Sequence, residues 1–175
     1  MISKLLAAQK NGLKIPIKKR DVVLYLGASH GATAKLVSEM VGPKGFVFCL
    51  DISHTIMTHL IRFCEGEENT APLLFDASKP ELYKRFVPDV DVIYQDIAQK
   101  NQVEILRRNV DMFLKDYGYA LLVLKCKSID VVKDKALVCD LVLDELRTFL
   151  EVVDYVDLSP YHKEHYFIVC RKNKG

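Results

Sequence analysis

Apolar runs of strand length alternate along the chain with segments of helical period, and most of the runs stop at a glycine, an acid or a lysine. This rhythm predicts alternating β and α units around a mostly parallel sheet, because a parallel strand returns to its neighbour only through a crossover, usually a helix. Residues 22–26 read as the first strand, ended by Gly27 and followed by a helix over 33–41 with Ala34, Val37 and Val41 on one face. Gly42-Pro43-Lys44-Gly45 stops that helix, a second strand over 46–50 ends in Asp51, and Ser53 caps the next helix. Strands over 72–75 and 90–95 end at Asp76 and Asp96, with a short helix at 80–86 and a longer one at 102–114. A fifth strand over 119–124 ends at Lys125, and a last helix covers 132–150. Segments 151–158 and 166–170 then form an antiparallel hairpin that closes the sheet.

Nothing interrupts this pattern, so the 175 residues are expected to make one domain, and half of them are hydrophobic, enough for a sizeable core. Twenty-five basic side chains against 23 acidic ones give +2, which excludes a chain that coats a polyanion by charge alone. Binding to RNA must be local. The start MISKLLAAQKNGLK lacks the apolar stretch of a secretory signal, so a protein that is not secreted and has no membrane segment is expected. The five cysteines have no C-x-x-C spacing and read as buried reduced thiols; His162 and His165 have only Glu164 beside them, so no metal site is expected.

Ligands of open α/β sheets bind beyond the carboxyl ends of the strands, where Gly27, Asp51, Asp76, Asp96 and Lys125 fall. The segment Gly27-Ala28-Ser29-His30-Gly31 lacks both G-x-G-x-x-G and G-K-[ST], so neither a dinucleotide nor a triphosphate suits it. Two glycines still allow close backbone approach, and Asp51 ends the next strand where a ribose diol would be read. That combination suits an adenosyl cofactor. A tight turn flanked by aspartates that cap helices accounts for the same residues.

The segment VLYLGASHGATAKLVSEMVGPKGFVFCLDISH is followed in order by LLFDASKP, VDVIYQDIAQKNQ, LLVLKCKSID and PYHKEHYFIV. Together they resemble the methyltransferase domain of the fibrillarin family, and SKLLAA resembles the segment preceding it. The resemblance implies a class I S-adenosyl-L-methionine-dependent methyltransferase fold, Rossmann-like, with a mostly parallel seven-stranded sheet. It also implies 2'-O-methylation of ribose in rRNA or tRNA, guided by box C/D RNA in a ribonucleoprotein with a scaffold protein. By the same resemblance Tyr25, Gly27, Ala28, Gly31 and Thr33 match the cofactor loop, Asp51 the ribose reader, Asp76 and Ala77 the adenine end, and Asp96 with Gln99 the methionine end. Lys4, Asp96, Lys125 and His165 match a Lys-Asp-Lys-His tetrad tied to methyl transfer. The family's location would be cytoplasmic in a prokaryote and nucleolar or nuclear in a eukaryote.

A ribose hydroxyl is a poor nucleophile, so the reaction needs a group that takes or steers its proton and in-line placement of the methyl group. Lys125 is read as that group, Asp96 as the one orienting the amine and the cofactor, and His165 as positioning Lys125 or the target nucleotide. The family loop reads G-A-A-S-G-T-T, whereas Ser29, His30 and Ala32 differ here, and His30 would crowd the cofactor or add a polar contact. The family's N-terminal domain is expected to be absent, which bears on docking to the scaffold, and the acidic stretch 65–68 would not help RNA approach. Two alternatives follow: a noncatalytic interaction subunit of the same fold, separated by cofactor binding, and a methyltransferase acting on a protein glutamine, separated by where labelled methyl groups appear.

Overall fold

The computed structural model describes residues 2–175. Helix α1 (Lys4–Lys10) precedes a sheet of strands β1 (Val22–Leu26), β2 (Phe46–Asp51), β3 (Thr70–Leu74), β4 (Val90–Gln95), β5 (Leu114–Lys125), β6 (Glu151–Asp157) and β7 (His165–Arg171). The crossovers are α2 (Ala32–Val41), α3 (His54–Glu65), α4 (Gln102–Phe113), a short α5 (Cys126–Ile129) and α6 (Lys135–Leu146). The strand order is β3-β2-β1-β4-β5-β7-β6. The first five strands pair in parallel, and β7 lies antiparallel to both β5 and β6. The predicted hairpin therefore exists, but its second strand is inserted inside the sheet and β6 forms the edge.

Alternation along the central strands divides the interior in two. On one side Leu24 and Leu26 of β1 meet Val103, Leu106 and Val110 of α4 and Val138, Val142 and Leu146 of α6. On the other, Val23 and Tyr25 meet Leu5 and Ala8 of α1, Val37 of α2, and Leu60 and Cys64 of α3. Both faces of the parallel strands are covered, which is why their sequence reads as continuous apolar runs. All five cysteines are buried and free, as expected.

Four predicted elements move. Strand β3 starts at Thr70 rather than Pro72, since on an edge strand a proline's missing N–H need not face a partner. Strand β5 reaches back to Leu114 through an irregularity opposite Val90 and Val92, with Tyr117 at φ +63°. Only one 3-10 turn, Pro80–Leu82, forms where a short helix was expected. Helix α6 begins at Lys135 instead of 132, because the Asp130 carboxylate accepts from the backbone N–H groups of Val132 and Lys133. That local bonding competes with a helix, and Asp134 caps α6 by accepting from Ala136 N–H.

Candidate active site

Strands β1 and β4 are neighbours at the sheet's centre, and the chain leaves them toward opposite edges. A crevice opens at such a reversal, beyond the strands' carboxyl ends. Gly27 stands there with φ +83°, and a Cβ on it would lie 2.3 Å from the carbonyl oxygen of Asp96. No other residue fits, and the turn lets Gly27 and Ala28 donate to the Leu50 carbonyl at 2.9 and 3.0 Å. Ser29 takes a left-handed φ of 53°, which aims its N–H at Asp51 Oδ2, 3.0 Å away. The other carboxylate oxygen accepts from Ser53 N–H at 3.0 Å. Asp51 is thus fixed at the head of β2 by two backbone donors, and a carboxylate retains further acceptor sites.

This carboxylate, Gly27, Asp76, Ala77, Asp96 and Gln99 line a cavity of about 280 Å³. A second of about 240 Å³ shares Gly27, Ser29 and Asp96 and is bordered by Lys4, Tyr25, Ala28, Thr33 and His162. Nine of the ten expected cofactor residues therefore surround one continuous crevice. Gly31 is the exception: its φ is +90°, and a Cβ there would sit 2.6 Å from the Phe63 ring, so its place is set by packing of α2 against α3. His30 does not fill the crevice. Its Nδ1 lies 3.1 Å from Ser29 Oγ and its ring packs 5.2 Å from His59, at the wall of the second cavity.

Lys4, carried to the site by the first turn of α1, places Nζ 2.9 and 2.8 Å from the two oxygens of Asp96. The sequence assigned Asp96 to the Lys125 amine; its carboxylate is instead engaged by Lys4. Lys125 ends β5 and is in register with His165, which begins β7. Burial, and then the charges of Lys4, His162 and Lys125, push the His165 imidazole down to about 4. The tetrad residues thus stand as two pairs, Lys4 with Asp96 and Lys125 with His165, and the imidazole feels the charge of both lysines, although Lys125 and His165 stand outside the walls of the two cavities. Burial, followed by the Asp96 charge, pushes the Tyr25 phenol well above its usual value, so it stays neutral.

Several supports escaped the sequence reading. The Nδ2 of Asn109 donates to the Ala77 carbonyl at 2.9 Å, and the Tyr83 hydroxyl donates to Asn109 Oδ1, which fixes the turn after Asp76. Asp76 itself accepts from the Ser78 hydroxyl and N–H, bonds that hold its carboxyl below the usual range. His162 Nε2 meets the Ile2 carbonyl at 2.9 Å, and Asn11 donates to the carbonyls of Asp157 and Ser159, both at 2.8 Å. These bonds tie both ends of α1 to the segment joining β6 and β7. The Asp76–Ser78 bonds are local, but the Asn109, His162 and Asn11 contacts link residues far apart in sequence, which no helical period or turn signature reveals.

The chain matches the family model described as Fibrillarin over residues 1–174. It belongs to the fibrillarin family. A fibrillarin-like rRNA/tRNA 2'-O-methyltransferase from Thermococcus onnurineus is 46% identical over 171 residues, covering 97% of this chain and 76% of that protein. The structure is similar to that of Aeropyrum pernix fibrillarin in complex with natively bound S-adenosyl-L-methionine, with TM-score 0.88, 37% identity, and coverage of 95% of this chain and 74% of that one. It is also similar to fibrillarin in a fibrillarin/Nop5p complex, with TM-score 0.94, 38% identity, and coverage of 97% and 81%. The fold is that of the class I S-adenosylmethionine-dependent methyltransferases.

The fibrillarin crevice here has the donor set such a cofactor needs. Asp51 offers acceptors to a vicinal diol, and Ile52, Phe75, Ala77 and Ile97 give apolar walls to a flat base. Lys4, Asp96, Thr33 and Tyr25 present both signs of charge and neutral hydroxyls to a zwitterionic amino-acid end. Among the described residues, no group of three or more His, Cys, Asp or Glu side chains is arranged to hold a metal ion, and no helix is long and apolar enough to cross a membrane.

Proposed function

We propose that this chain catalyses S-adenosylmethionine-dependent methylation of ribose 2'-hydroxyls in RNA, guided by box C/D RNA within a ribonucleoprotein. The observation that carries this reading is the Lys4–Asp96 pair in a crevice headed by Asp51, with Lys125 and His165 side by side at the ends of neighbouring strands. The names of the relatives support it: 2'-O-methyltransferase for one, bound S-adenosyl-L-methionine for another, and a complex with Nop5p for a third.

When bound, S-adenosylmethionine supplies an electrophilic methyl group. Asp51 holds the ribose, and the turn of Asp76 and Ala77 borders the base. Gly27, Ala28, Tyr25, Thr33 and Gln99 complete the enclosure, and Asp96 and Lys4 hold the amino-acid end as a preformed pair. Among the described residues Lys125 makes no ion pair, so its amine, once it has given up its own proton to solvent, is the group to take the proton of the 2'-hydroxyl as the oxygen is alkylated. His165, depressed to about 4, is neutral at pH 7 and adds no positive charge to the cluster. It orients the lysine or the ribose. One domain carries all of these groups, and the scaffold protein's task is to bring the guide duplex to them.

The test supplies methyl-labelled cofactor to the chain with guide-paired RNA, with and without a scaffold protein. Label in a single 2'-O-methyl nucleoside is expected, and label in protein glutamine, or cofactor binding without transfer, would overturn the reading in favour of a protein substrate or a noncatalytic subunit.

A further inference from the structure

Gln102 is the first residue of α4 and has no exposed surface. A helix start normally keeps a glutamine in water, and burying its amide without partners is costly. Here the amide is satisfied in one specific way. Its Nε2 donates to the carbonyls of Gln99, at 2.9 Å, and Lys125, at 3.3 Å, while its Oε1 accepts from Lys125 N–H at 3.3 Å. The side chain therefore meets both backbone polar groups of Lys125, as the peptide of a neighbouring strand would.

The sheet explains the need for this. Strand β4 stops at Gln95, which is level with Leu122, so β5 runs three residues further without a partner on that side. On its other side Lys125 is level with His165. Gln102 supplies the missing edge. Its own position is fixed from below, because the fully buried Gln95 donates through Nε2 to the Gln102 carbonyl at 2.6 Å. The bond to Gln99 also closes the loop that carries Asp96, Ile97, Ala98 and Gln99 along the first cavity.

We propose that Gln102 is a positioning residue for methyl transfer, which joins the cofactor-lining loop after β4 to the backbone of Lys125 and so sets where that amine stands. The inference rests on the reading of Lys125 as proton acceptor. A lysine side chain has several rotatable bonds, so its amine is directed only if its backbone is anchored, and displacements near 1 Å can lower a rate by about 100-fold.

Gln102→Leu preserves bulk and removes all three bonds. In the complex with guide-paired RNA and saturating cofactor, its single-turnover rate is expected to fall by about 10- to 100-fold, with the dissociation constant for S-adenosylmethionine changing far less. Gln102→Glu provides the second readout. As a carboxylate it repels the carbonyls of Gln99 and Lys125, whereas the neutral acid donates to one of them and still accepts from Lys125 N–H. Burial favours that neutral form, so the ratio of its rate to wild type should rise as pH is lowered from about 8 to about 6. A wild-type rate for Gln102→Leu, or a ratio for Gln102→Glu that is flat with pH, would overturn the inference, and the latter decides even if Gln102→Leu fails to fold. Absence of methyl transfer by the wild-type chain in the complete complex would instead overturn the proposed function.

Discussion

Lys4 and Asp96, 92 residues apart in sequence, form a two-point contact in which Nζ lies 2.9 and 2.8 Å from the carboxylate oxygens. The side chains are 25% and 23% exposed, so water screens the pair only in part. It joins the N-terminal helix to the central reversal of the sheet, and it leaves the Lys125 amine without a claim on the Asp96 carboxylate.

A double-mutant cycle with Lys4→Ala and Asp96→Asn measures that contact. A coupling of about 1 kcal/mol is expected in thermal or denaturant unfolding. In single-turnover methyl transfer Lys4→Ala should be impaired less than Lys125→Ala, for which a loss of about 100- to 10,000-fold is expected at nearly unchanged cofactor affinity. Additive stability effects would show that the two groups act independently, and a wild-type rate for Lys125→Ala would move the proton elsewhere.

Gly27→Ala should abolish measurable cofactor binding, because the new Cβ must displace the Asp96 carbonyl that it would approach to 2.3 Å. Gly12→Ala is the matching control. Its φ of +92° carries a similar backbone strain of about 1 kcal/mol, but nothing lies within 4 Å of the added carbon. Calorimetric titration of the two variants should separate a lost site from mild destabilisation, and equal affinities would contradict the crowding at Gly27.

The depressed imidazole of His165 makes stability depend on pH with a definite sign. Folded, it titrates at about 4 against 6.5 for the ordinary side chain, so between those values the unfolded chain holds more protons. Its contribution is complete above 6.5 and is lost as pH falls toward 4. Melting temperatures followed over that window should drop more steeply for wild type than for His165→Gln, which is neutral throughout. Parallel curves would mean that His165 takes up protons equally well when folded.

The net charge of +2 predicts weak catalysis on unguided RNA by the chain alone. Few phosphates can be neutralised, so little affinity comes from counterion release, and productive docking should require partners that hold the guide duplex. Rates compared with and without those partners over a range of salt concentrations check this, and strong salt-sensitive activity on naked RNA would refute it.

The alternation of apolar runs with helical segments was enough to read the parallel part of the fold, since β1, β2 and β4 each carry both a length and a terminating residue in sequence. The strand-end positions of Gly27, Asp51, Asp76 and Asp96 were legible for the same reason. Their partners were not. Nothing local says that Lys4 reaches Asp96, that Gln102 faces Lys125, or that Asn109 holds Ala77, because each contact is made by a crossing of the chain. The start of α6 was misplaced because helical apolar spacing continues through Val131 and Val132, where the Asp130 carboxylate diverts the backbone. The insertion of β7 beside β5 was hidden too, as strand order leaves no mark on a run of apolar residues.

That insertion bears on how the enzyme is made. Strand β7 follows β6 along the chain yet is an interior one, flanked by β5 and β6, and it begins with His165. Until it emerges, β5 presents an unpaired edge and α1 has no His162 to hold Ile2. A nascent chain halted after β6 is thus a sheet fragment with an open flank, the kind of species that chaperones shield and that aggregates without them. Chains released at that point should bind an apolar-surface dye and show no saturable uptake of S-adenosylmethionine. The strand that closes the flank of β5 is also the one that brings His165 level with Lys125, so sheet and cluster are completed in a single step.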